Sequence, residues 1–84
     1  MKKYEVFNQL FARGIDAIVA HEAAMEWITR SEVRLTVNGL LDKAAQFEAL
    51  AARNHCEYAA YGPAKTAARY LDMALALEAW ASEQ

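Results

Sequence analysis

The sequence predicts an all-α fold, a compact bundle of four to five helices. Nineteen of the 84 residues are alanine, the best helix former, while proline occurs once and glycine only three times. The apolar residues recur mostly at helical spacing, and only one short stretch alternates as a strand would. The length suits a single domain spanning residues 1–84. A domain of this size buries only about 60–65% of the surface its unfolded chain exposes, so its stability is marginal.

The first helix is expected from about Lys3 to Arg13, with Val6, Phe7, Leu10 and Phe11 as its apolar stripe and Tyr4 at the edge. Gly14 is its expected stop, in the left-handed conformation that glycine adopts cheaply. The second helix runs from about Ile15 to Arg30. Ile18, Ala20, Ala24, Met25, Trp27 and Ile28 share one broad face, with Glu22, Glu26 and Arg30 opposite. Glu26 and Arg30 are spaced as a favourable i,i+4 pair.

Residues 31–39 read two ways. Val33, Leu35 and Val37 alternate, and Asn38-Gly39 resembles a hairpin turn. The residues after Gly39 have helical period, however, so a hairpin would lack its second strand. Val33 and Val37 also share a helical face with Leu40, Ala44 and Phe47. A short helix opened by Ser31, with a break or kink at Asn38-Gly39, is the preferred reading.

The next helix is expected from about Leu40 to Tyr61. Leu40, Leu41, Ala44, Phe47, Ala51, Ala52 and Tyr58 point inward, and Asp42, Lys43, Gln46, Arg53 and Glu57 point out. Gly62-Pro63 should end it, because a residue before proline avoids the helical region. The final helix, Gly62 to Ser82, is apolar most of the way round, with Lys65, Arg69 and Asp72 confined to one narrow wedge that includes Ala76. Such a helix belongs at the centre of the bundle or at a dimer interface. Tyr70, Met73, Leu77 and Trp80, on one edge, are the expected oligomer contact of a homodimer.

The candidates for chemistry are few. His21 falls on the expected apolar face of the second helix and reads as a core histidine. His55, Cys56 and Glu57 are adjacent, but on a helix they would project about 100° apart and form no dyad among themselves. Glu48 and His55 share an expected inward face, too far apart along it for direct contact, and Glu78 is a carboxylate in an otherwise apolar helix. The lone Cys56 permits no intrachain disulfide. No Cys-x-x-Cys, Glu-x-x-His or phosphate-binding glycine pattern occurs. No catalytic residue, metal ligand or cofactor site is therefore assigned.

Nine basic and eleven acidic residues give a net charge of −2, which speaks against nucleic acid as partner and also against a mimic of it. Met1-Lys2-Lys3 is followed by no uninterrupted apolar run, so neither a signal peptide nor a membrane span is expected, and a cytoplasmic address is. These features fit a non-enzymatic module that occupies a surface of a larger protein partner as an adaptor, assembly factor or inhibitor. A small helical chain without a chemical motif suits a phage- or plasmid-encoded inhibitor of a host system such as an anti-CRISPR protein, an expectation from size and missing chemistry and not from any residue. The expected partner-binding residues are Arg30, Arg34, Tyr58, Tyr61, Lys65 and Arg69, since aromatic and arginine side chains anchor such contacts. The alternative is a small regulatory nucleic-acid binder that gathers Arg30, Arg34, Lys65 and Arg69 on one face.

Overall fold

In a computed structural model describing all 84 residues, the chain forms α1 (Lys3–Ala12), α2 (Ala17–Arg30), α3 (Arg34–Arg53) and α4 (Glu57–Ser82), with no strand. The all-helical prediction holds, at the lower of the expected helix numbers.

α1 ends as its sequence requires. Gly14 takes φ +87°, and the N–H groups of Gly14 and Ile15 donate back to the carbonyls of Phe11 and Leu10 at 3.1 and 3.3 Å. Ile15 then turns inward against Leu10, both fully buried, which is the hydrophobic contact that accompanies this kind of stop. Asp16, not Ile15, opens α2, and its carboxylate accepts the Val19 N–H at 3.0 Å as an N-cap.

α2 is rotated from the expected orientation. Val19, Ala20, Ala23 and Ala24 are buried and Trp27 is half-buried, whereas Ile18, Met25 and Ile28 stand exposed. The small side chains let the neighbouring helices approach closely, and that packing outweighs the larger apolar payload of the opposite side. Glu26 consequently lies inside, 8% exposed, rather than paired with Arg30 on the surface. Its carboxylate accepts hydrogen bonds from the N–H groups of Leu35 and Thr36 at 2.8 and 2.9 Å and from the Thr36 hydroxyl at 2.8 Å. Those two N–H groups belong to the first turn of α3, so α2 supplies the cap that α3 lacks locally.

That cap explains why no short helix starts at Ser31. Ser31 instead ends α2 in the left-handed region, φ 57°, and α3 runs unbroken through Asn38 and Gly39. Glycine costs about 1 kcal/mol relative to alanine in a helix. The single buried face formed by Val33, Val37, Leu40 and Ala44 offsets that cost. Leu41, Ala52 and Tyr58, expected inside, are exposed.

The largest correction concerns Gly62-Pro63. The chain breaks earlier, at Asn54-His55-Cys56, and α4 passes straight through Pro63. Proline lacks the N–H that would bond the Ala59 carbonyl, an effect of about 3 kcal/mol in a helix interior. Tertiary packing overrides it: Ala60, Pro63 and Ala67 lie on one side of α4, half-buried or buried, where the helix runs against α3. Pro63→Ala should therefore stabilise the protein by about 2 kcal/mol, the helix gain less the entropy proline removes from the unfolded chain. Urea denaturation reads this directly, and a lower midpoint would contradict the account.

The core gathers Val6, Leu10, Ile15, Val37, Leu40, Met73, Leu77 and Trp80 with Ala20, Ala23 and Ala24 of α2. Trp80 is fully buried, packs edge-on to Trp27 at 4.9 Å and donates its indole N–H to the Gln9 Oε1 at 2.8 Å. Tyr70, Met73, Leu77 and Trp80 are thus covered by their own chain, not left for a second copy: three are buried, and Tyr70 is half-buried against Phe47, 5.8 Å between ring centroids. The exposed edge of α4 is the other one, with Leu71 38% and Leu75 56% exposed. Leu75→Glu should fold with a melting temperature close to wild type. Leu77→Glu, which buries an unpaired carboxylate, should unfold the chain. Circular dichroism melts of the two variants test this, and unfolding by Leu75→Glu would contradict it.

All four helices meet at one end, while the C-terminal part of α3 and the N-terminal part of α4 continue as a two-helix arm. A chain of this length packed evenly would have a radius of gyration of about 12 Å. The observed 14.2 Å, with extents of 47 × 20 × 19 Å, reflects that arm. No helix is long and apolar enough to cross a membrane.

Candidate functional site

Pro63's inclusion in α4 has a direct effect on the surface. It puts Tyr58 and Tyr61 on the same helix as Lys65 and Arg69, which the expected break would have separated from them. At about 100° per residue the four project along one stripe, continued by Asp72 and Ala76. All but Ala76 are exposed, Tyr58 by 91% and Tyr61 by 66%. The Lys65 ammonium lies 5.9 Å from the centre of the Tyr61 ring, within reach of a cation–π contact.

Along this stripe lies a groove of about 540 Å³, closed at one side by Arg13 and Gly14 of the α1–α2 turn. Lys65, Arg69 and Asp72 form its polar wall, and Met73 and Ala76 contribute apolar floor. Arg13 is held in place by a paired contact to the Glu83 carboxylate just beyond α4, and that partner keeps the Glu83 carboxyl below its ordinary pKa. Lys65 and Arg69 have no acidic partner, since the ion pairs are Arg13–Glu83 and Arg34–Glu32. From Tyr58 to Leu71 the chain carries these two cations and no carboxylate.

The remaining expected contacts lie elsewhere. Arg30 is exposed at the end of α2. Arg34, 3.8 Å from Glu32, borders a shallow hollow with Val37, Leu41 and Glu78. Glu78 and Arg69 project from opposite sides of α4. The four cations required by a nucleic-acid surface therefore do not gather on one face. Arg13, in contrast, joins the groove although nothing local to it in sequence signalled this. Its position depends on Glu83, beside it in the fold but at the other end of the sequence.

The titratable candidates are scattered. His21, Glu48 and Glu78 are exposed on three different helices, so none is a core group. His55 and Cys56 sit exposed at the tip of the arm, not on an inward helical face. The N–H groups of Ala59 and Tyr58, at the start of α4, lower the Cys56 thiol pKa, although no cap hydrogen bond of full geometry closes there. No three histidine, cysteine, aspartate or glutamate side chains converge as a metal-ligand set. In comparisons with protein-family models, curated proteins and solved structures, the chain matches none.

Proposed function

We propose that the chain is a non-enzymatic protein-binding module that acts by covering a surface of a larger partner. One observation carries this reading: Tyr58, Tyr61, Lys65 and Arg69 stand exposed along one side of α4, on an arm that projects from the core. Tyrosine brings large contact area and a hydrogen-bonding tip at low entropic cost, arginine brings a planar fork of donors, and both are enriched at protein interfaces. A projecting arm can enter a cleft that a round domain could not. A chain that works by occupation needs no reacting group, and this suits an adaptor, an assembly factor or an inhibitor of a cellular machine, the anti-CRISPR type included.

Affinity capture from the cell that produces the chain tests this. Wild type should retain a stoichiometric partner, and the double variant Tyr58→Ala/Tyr61→Ala should lose it while keeping the wild-type melting temperature. Equal capture by both proteins, or none by either, would overturn the proposal.

Self-association is a second reading, favoured by the exposed Leu71 and Leu75 beside Ala64 and Ala68 on α4. It predicts a dimer mass by light scattering that falls to the monomer value in Leu75→Glu.

A further inference from the structure

We infer that the groove between the α1–α2 turn and α4 receives an acidic segment of the partner protein, with a carboxylate seated between Lys65 and Arg69. The inference rests on the protein-binding reading and adds the chemistry of what is bound. Three observations carry it. Lys65 and Arg69 are adjacent on the helix surface, line the same groove and have no acidic partner within the chain. Two cations so placed repel one another, and an incoming anion relieves that repulsion. The chain already seats a carboxylate at the edge of this groove, where Glu83 engages both terminal nitrogens of Arg13. Arginine's planar fork favours such paired binding.

The rest of the wall selects for a peptide over a nucleic-acid backbone. Asp72 stands in the groove beside the cations and would repel a continuous row of phosphates. The same carboxylate can accept a hydrogen bond from a peptide N–H. Met73 and Ala76 offer apolar contact to a side chain flanking the acid. The chain's net charge of −2 further disfavours a polyanion, whereas a single carboxylate feels chiefly the two cations beside it.

The test is an amide NMR titration of the full chain with an end-blocked peptide holding one glutamate flanked by leucines, with a thymidine oligonucleotide and with sodium chloride at matched ionic strength. The peptide should shift the amides of Gly14, Thr66 and Arg69 saturably. Lys65→Glu/Arg69→Glu, at two exposed positions, should keep its melting temperature and bind about tenfold more weakly. Three results would overturn the inference: no groove shifts with the peptide, unchanged binding by the charge-reversed variant, or tighter binding of the oligonucleotide. Each can occur while the tyrosine-dependent capture of a partner succeeds, so this inference and the protein-binding reading fail separately.

Discussion

Trp80→Ala should cost about 3–5 kcal/mol, the usual range for truncating a buried tryptophan. A domain of this length has a total stability of roughly 4–13 kcal/mol, so the variant should lose about a quarter of it at the least and all of it at the lower end of that range. The cost has several sources. Trp80 is fully buried where all the helices meet, and its removal takes away the edge contact to Trp27. It also leaves the Gln9 amide oxygen without its donor. Trp80→Phe keeps most of the apolar volume and loses the indole bond, so it should fall between wild type and the alanine variant. Thermal and urea unfolding measure both, and a loss below about 1 kcal/mol for Trp80→Ala would contradict the packing described.

Glu26→Ala should cost about 2–4 kcal/mol, far more than removing an ordinary surface glutamate. Its carboxylate satisfies two N–H groups and one hydroxyl at the start of a 20-residue helix. The positive end of the helix dipole adds to the preference for a negative charge there. Glu26→Gln retains the shape but loses the charge, and should cost about half as much. Hydrogen exchange gives a local reading: the Leu35 and Thr36 amides should lose protection in both variants before the rest of α3 does. A change within about 0.5 kcal/mol for Glu26→Ala would show that the cap is dispensable.

Much of the fold was legible in the sequence because it rests on local rules. Gly14 stops α1 where the pattern said it would, and the helical face shared by Val33, Val37, Leu40 and Ala44 decided correctly against a strand. The misread positions share one cause, a local signal overridden by a contact distant in sequence. Gly39 and Pro63 are weak points in a helix considered alone, and both lie within long helices that pack along each other. Ile18, Met25 and Ile28 looked like a core stripe, yet the alanines of α2 allow a closer approach and take the inside. Glu26 read as a surface charge because its partners are on the next helix.

The same division applies to the surface. Tyr58, Tyr61, Lys65 and Arg69 stand out by residue type, but a break at Gly62-Pro63, as the local sequence suggests, hides their alignment. Once α4 is continuous the four form one stripe, and Arg30 and Arg34 separate from them. Arg13 entered the groove only through Glu83, a pairing that no spacing in the sequence announces.

The central claim is that this stripe is the surface through which the chain meets its partner. Site-specific photo-crosslinking in the producing cell tests it most directly, with the photoreactive group placed at Tyr61 on the stripe or at Asp42, exposed on the outward side of α3. The account predicts one discrete adduct from position 61, abolished by Lys65→Glu/Arg69→Glu, and none from position 42. An adduct from position 42 alone, or the same adduct from both positions, would contradict it.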